Sequence, residues 1–313
     1  MEKGIVVLNK EFTADWLPIL KENGINKIAF HALYKYGGLN GHIEWLLQAE
    51  TQEKIKLFEE NGITVEHEMH AVDWLLPRSL FNENPLWFRM NEKGERVSDF
   101  NFCVSNEDAL KYVENSAFKL AFLLKQKSHR YYIWSDDGIG SLCNCEHCKK
   151  YNGADQNMII MQSVLRGIKR YDPQAKLSFL SYQDSEGLPS IKPDKDMFLE
   201  FAPINRNHFS RIDGDDPENV KSRNDLEKLL KIFPASETQI LEYFLDVSLY
   251  CKWQRENASA LKIDKDVIEN DVAYYAKSGV GSIVTFACFM DKEWRNKYGL
   301  KDIENYGKAL KDY

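Results

Sequence analysis

The phrase Glu-Asn-Gly-Ile occurs twice, at residues 22–25 and 60–63, each time where a helix-patterned segment gives way to an apolar one. Glycine tolerates the left-handed backbone that closes a helix at C′, and the isoleucine after it opens a strand. That beat runs the length of the chain. Ile5-Val6-Val7-Leu8 reads as a strand, 13–23 as a helix with Thr13 as its cap, and the segment ending at His31 as a second strand. Residues 43–60 read as a helix and NGITVEHEMH as a third strand. Helix 106–125 leads to strand 131–135, and helix 155–170 to strand 175–181. Strand 197–202, helix 223–231, strand 239–244, helix 264–277, strand 281–287 and helix 302–312 complete the series. Eight strand-like segments, most followed by a helix, predict an α/β chain folded as a (β/α)8 TIM barrel, with residues 1–313 forming a single domain. A doubly wound sheet is the alternative. Its first βα turn would be LNKEFTAD, which carries neither a dinucleotide nor a phosphate-loop glycine pattern.

The chain is 43% hydrophobic and 12% aromatic, enough to fill a large interior. A formal charge of −7 argues against a nucleic-acid partner, which needs a cationic face. No apolar run reaches the ~20 residues of a membrane span, and the N-terminal MEKGIVVLNKEF is too short for a leader's apolar region. The expectation is a cytoplasmic protein with no membrane association, for which a homo-oligomer is compatible with the sequence but not indicated by it.

In such a barrel, polar side chains at the C-terminal strand ends form the default site. Strand 2 ends at His31. Strand 3 carries Glu66, His67, Glu68 and His70, and strand 4 ends Trp134-Ser135-Asp136-Asp137. Strand 5 leads to Tyr182. Strand 6 holds Glu200 and leads to Arg206 and His208. Strand 7 holds Glu242 and leads to Asp246. Glu242 lies among Ile240, Leu241, Tyr243 and Phe244, so it needs a partner: either it lines a ligand pocket or it forms a structural ion pair with Arg206 or another buried base. Asp136 and Asp137 point to opposite sides if the strand persists, dividing a chemical acid, here assigned to Asp137, from an orienting one, Asp136. Long loops span 71–105, 138–154 and 203–222. The first carries Trp74 and Trp87, which with Trp134 offer faces for sugar rings, unless the loop packs on itself.

Cys143-x-Cys145-x2-Cys148 places three thiols within six residues, and Cys103 in the loop after strand 3 supplies a fourth. Tetrahedral structural zinc is the preferred reading, pinning these loops beside the acidic pair; two disulfides or four free thiols are the alternatives. No organic cofactor is indicated.

Several segments together resemble the uncharacterised DUF4838 family: HAVDWLLPRSLFNENPLWFRMNEKGER, FCVSN, WSDDGIGSLCNCEHCKK, SYQD, LEFAPINR and ILEYFLD. The resemblance covers most of residues 60–250. It implies a glycosidase-like barrel, grouped with β-N-acetylhexosaminidase and α-glucuronidase barrels. Similar hexosaminidase barrels carry an Asp-Glu pair at the end of strand 4, where this chain has Asp136-Asp137. The relatives resembling α-glucuronidases draw acids from later strands, which keeps Glu200, Glu242 and Asp246 in play.

The expected function is therefore hydrolysis of an oligosaccharide or glycoconjugate. Asp137 would be the general acid and Glu242 the partner base or nucleophile. Asp136, Tyr182 and Asp246 would orient groups, and Arg206 and His208 would meet a polar or carboxylate substituent. His31, His70 and Glu200 complete the expected binding set. A non-catalytic glycan-binding or assembly barrel and a metal-dependent sugar isomerase or hydrolase are the alternatives.

Overall fold

Runs such as Val6-Val7-Leu8 and Ile28-Ala29-Phe30 are buried throughout, as strands covered on both faces must be. The computed structural model describes the backbone of residues 1–313 and every side chain except that of Tyr36. Its strands are β1 (Glu2–Leu8), β2 (Lys27–His31), β3 (Thr64–His70), β4 (Arg130–Trp134), β5 (Lys176–Ser181), β6 (Met197–Phe201), β7 (Gln239–Glu242) and β8 (Ser282–Phe286). They form a closed parallel barrel in sequence order, the predicted (β/α)8 architecture.

The helices differ from the sequence pattern in detail. The expected helix 43–60 is two, Gly38–Leu46 and Ala49–Glu60, because Gln48 is extended (ψ 135°). Thr13 is not a cap: the first helix runs Trp16–Glu22 from Asp15. The helix expected at 223–231 begins at Pro217, inside the segment read as a loop. Asp216 caps it by accepting from the Glu218 and Asn219 amides, and proline suits the first helical position. A helix at Lys292–Tyr298 was not expected. Loop 71–105 folds on itself through short turns at Val72–Leu75, Arg78–Phe81 and Pro85–Trp87 and bridges pairing Phe88 with Phe102 and Met90 with Arg96.

By its contacts the chain divides into two units, one of residues 1–66 with 200–313, the other of residues 67–199. In the first, both Glu-Asn-Gly-Ile turns work as predicted: Gly24 and Gly62 have φ of 66° and 79°. The strand entries interlock, with the Asn26 amide donating to the Lys3 carbonyl and the Thr64 amide to the Asn26 carbonyl, each at 2.9 Å. Above them sits a buried polar layer. Lys27 pairs with Glu66 and donates to Gln239 Oε1 at 2.7 Å, while Gln239 Nε2 donates to Glu200 Oε1 at 3.2 Å. Gly4 makes room for this lysine, since a Cβ there would stand 3.1 Å from Lys27 Cβ and 2.7 Å from a Val284 methyl.

In the second unit, β4 registers with β5 through Arg130–Lys176. Helices Glu107–Leu123 and Gly153–Tyr171 cross closely, because a Cβ on Gly167 would lie 2.1 Å from the Glu114 carbonyl. Asn106 and Asn152 cap these helices with their side chains.

Candidate functional site

In the second unit, β3 and β4 end in a polar cluster. His70 Nδ1 donates to the Ser135 carbonyl at 2.5 Å. The ring packs edge-on against Trp134 and lies 6.2 Å from Tyr182. Trp134 is only 2% exposed, so its face is taken by the protein and is not open to a sugar. Trp87 rests on Tyr112 of the neighbouring helix, and Trp74 is half-buried in its turn.

The two aspartates divide. Asp136 is buried, ion-paired with Arg78, and its amide donates to Asn101 Oδ1 at 2.9 Å. Burial pushes its carboxyl up; Arg78 opposes this and Asp73 adds to it. Asp137 is exposed and accepts from the Tyr182 hydroxyl at 3.0 Å. Asp73 and Arg78 were not singled out in the sequence. Burial pushes Asp73 up as well, against Arg78. Asn101 Nδ2 reaches Ser141 Oγ, and Ser141 donates from both its amide and its hydroxyl to Asp184. The acid-bearing turn is thus tied to loop 138–154.

That loop carries the cysteines. Cys103, Cys143, Cys145 and Cys148 are all buried and unoxidised, with their sulfurs within 4.8 Å of one another. Cys103 Sγ lies 3.7 Å from both Cys145 Sγ and Cys148 Sγ. A disulfide requires about 2.05 Å, whereas four thiolates about 2.3 Å from a central ion stand about 3.8 Å apart. The Met90 amide points at Cys143 Sγ (3.4 Å), and Arg96 Nη1 lies 4.0 Å from the same sulfur. Hydrogen bonding from Cys143 and then Cys148 pulls the Cys103 thiol down, while Cys103 pushes Cys148 up. The arrangement is a buried four-cysteine cluster able to coordinate a metal ion.

In the first unit, β7 ends at Glu242, which is fully buried. Oε1 accepts from Arg206 Nε at 3.0 Å and from the Tyr275 hydroxyl at 2.5 Å; Oε2 accepts from the Tyr243 amide at 3.2 Å and lies 3.7 Å from His208 Nδ1. Burial alone would raise this carboxyl, but Arg206, His208 and Tyr275 override it and hold it at about 2. Arg206 also donates to Asp271 Oδ2 at 2.7 Å and to the Asn207 and Ser210 carbonyls. With its side chain buried and its donors engaged, Arg206 is not available to a substrate carboxylate, contrary to the expectation. His208 is buried too, with Nε2 donating to the Ile204 carbonyl at 3.0 Å. Asp246 is fully buried and caps the short helix Val247–Tyr250 through Ser248 and Leu249, so it is a structural cap and not a surface for hydroxyls. Glu200 belongs to the polar layer at the strand entries. His31 packs on Phe286, which continues through Tyr243 and His208 to Tyr250 and the exposed Phe209.

Tyr275 and Asp271 went unremarked in the sequence. Their spacing of four on helix Lys265–Lys277 puts them on one face, which was the available signal.

No protein-family model and no curated protein matches this chain. Solved structures do. A β-galactosidase from Rahnella sp. R3 superposes with a TM-score of 0.54 at 12% identity, covering 100% of this chain and 56% of that one. A catalytic mutant of a GH42 β-galactosidase from G. stearothermophilus gives 0.58 at 12% identity, over 99% and 56%. An endoglucanase from Pseudomonas stutzeri, in complex with cellobiose, gives 0.52 at 13%, over 95% and 84%. The chain therefore spans about 56% of the length of these β-galactosidases. No helix among the described residues is long and apolar enough to cross a membrane. At such identities the likeness is one of fold: this chain has a glycoside-hydrolase-like TIM barrel.

Proposed function

We propose that the chain is a glycoside hydrolase acting on an oligosaccharide or glycoconjugate, with Asp137 as general acid. The observation that carries this reading is the division at the end of β4. A buried aspartate is locked by Arg78, and its neighbour is exposed and held by the Tyr182 hydroxyl. A proton donor must reach the leaving oxygen, which suits the exposed member of the pair. Glu242, expected as the partner base or nucleophile, is fully buried with both carboxylate oxygens engaged by Arg206, Tyr275 and the Tyr243 amide, so the reading rests on Asp137 and its surroundings. The motif resemblance to the DUF4838 family agrees with this reading, and the carbohydrate ligand rests on it.

The four-cysteine cluster is proposed to hold structural zinc. The 3.7 Å sulfur separations suit tetrahedral thiolate ligation, and the ion would fix loop 138–154 beside Asp136 and Asp137.

A chromogenic panel that includes N-acetylhexosaminides and uronides tests the activity. Wild type should turn over one class, and Asp137→Asn should lower that rate ~10²-fold or more. An unchanged rate in the variant removes Asp137 from the role. A second reading, a glycan-binding barrel without turnover, is favoured by the complete burial of Glu242 in its network with Arg206. It predicts saturable glycan binding and a silent panel.

A further inference from the structure

Behind Asp136, between the loop after β4, the start of helix Gly153–Tyr171 and the turn after β5, lies a cavity of about 20 Å3. That is room for one particle the size of a water molecule. Its lining is rich in oxygen. It includes Asp136, Asp184, Ser141, Ser185, Asn157 and Gln183, and among the described residues no lysine, arginine or histidine lines it. Asn157 is 4% exposed, and its amide nitrogen is spent on the Leu180 carbonyl at 3.2 Å. Its Oδ1 is buried and has no hydrogen-bond partner. The same is true of Gln183 Oε1, whose amide nitrogen donates to the Tyr182 hydroxyl at 2.9 Å.

An amide oxygen buried without a donor is destabilising, and here there are two, so something must satisfy them. The backbone is also forced here. Gln183 adopts φ 45°, a left-handed conformation that a non-glycine residue holds only when its surroundings compel it. Gly153 lets the helix start approach so closely that a Cβ there would lie 1.7 Å from the Asp184 carbonyl oxygen.

We propose that this cavity binds a single hard cation, Ca2+ or Na+, with Asn157 Oδ1 and Gln183 Oε1 among its ligands. A water could donate to both amide oxygens, but it would leave Asp184, which takes only the two Ser141 donors, without a counter-ion; of the two lining carboxylates, Asp136 is the one that Arg78 already balances. A cation answers the amide oxygens and the charge together, and oxygen-only donors select hard ions over the thiophilic metals suited to the cysteine cluster. The ion would join the turn after β4 to the turn after β5, bracing the segment that carries Asp137. This proposal stands apart from the glycosidase reading, since ion binding needs no turnover.

Terbium luminescence tests it, because Tb3+ substitutes for Ca2+ at oxygen sites and is excited through nearby tryptophan and tyrosine. The full chain, with its cysteine cluster metal-loaded, is titrated in buffer cleared of calcium. The expected result is saturable emission, displaced by excess Ca2+ and lost in Asn157→Leu. Gln183→Ala, at a half-buried position, is the second variant in case the first fails to fold, and it should weaken binding at least ~10-fold. If sodium is the occupant, Tb3+ is displaced by Na+ but not by choline at equal ionic strength, and replacing Na+ with choline lowers Tm in wild type alone. Absence of saturable emission together with a Tm indifferent to both ions overturns the proposal and leaves a water in the cavity. Emission of equal strength in wild type and both folded variants overturns it as well.

Discussion

Asp136 and Glu242 make a controlled pair. Each is a buried carboxylate at the end of a barrel strand, and each is ion-paired with an arginine, Arg78 and Arg206 respectively. Their proton affinities nevertheless move in opposite directions. At Asp136 burial prevails over Arg78, and Asp73 nearby adds repulsion. At Glu242 burial is outweighed by Arg206, His208 and the Tyr275 hydroxyl acting together. One arginine does not fix the state of a buried acid; the number of donors around it does.

The comparison can be broken most sharply by removing the two arginines in turn. Arg206→Met leaves both Glu242 and Asp271 buried without their counter-ion and should cost ~3–5 kcal/mol. Arg78→Met should cost much less, since that side chain is 24% exposed and water can replace it. Urea unfolding of both variants measures this, and equal losses would erase the distinction between the sites.

Metal removal should act on one site and spare the other. Chelation, or Cys148→Ser, should lower Tm by several degrees and raise amide exchange across 85–105 and 138–150, while 239–250 stays protected. Metal analysis of the purified chain should give about one zinc per molecule, as a single four-coordinate site requires. Loss of protection throughout would mean that the cluster supports the whole fold and not the acid-bearing loops.

The pH dependence of stability sharpens the contrast. Glu242 falls from an ordinary 4.5 to about 2 on folding, so its contribution is present above about 4.5 and is lost as pH drops toward 2. The full effect is about 3 kcal/mol as an order of magnitude. Asp136 is raised, so its contribution is complete below its unfolded value and is lost as pH climbs through the folded one. Glu242→Gln should therefore flatten the acid limb of the stability curve, and Asp136→Asn should remove a slope of the opposite sign. Identical curves for the two variants would contradict the assignment.

The smallest effect belongs to Tyr182→Phe. It deletes one hydrogen bond to an exposed carboxylate and should change stability by less than about 1 kcal/mol. Because that bond holds the Asp137 carboxylate in place, its loss should lower turnover on the chromogenic panel. An unchanged rate in this variant would mean that Tyr182 does not position Asp137.

The strands were legible because each is a short apolar run bounded by glycine or polar punctuation, and all eight fall where that pattern put them. The ion pair of Glu242 with Arg206 was legible as one of two alternatives, since a carboxylate among Ile240, Leu241 and Phe244 must have a partner. Other parts of both sites were not. Arg78 meets Asp136 across 58 residues of chain, and nothing local marks that meeting. Asp246 looked like a strand-end ligand because a sequence does not reveal that the next four residues turn into a helix needing a cap. Trp134 looked available because an aromatic ring at a barrel mouth and one buried beneath it read alike.

The interlocked strand entries at Lys3, Asn26 and Thr64 have a consequence for how this chain can change over time. Each entry hangs on the carbonyl of the one before it, so an extra residue between Asn23 and Ile25 would slide β2 by one position and exchange its inward and outward faces, ejecting Lys27 from Glu66 and Gln239. The segment 258–264 that precedes helix Lys265–Lys277 has no such coupling to a strand register. Freedom to lengthen or shorten is therefore greater in segment 258–264 than at the strand entries, where one added residue moves the register of a whole strand.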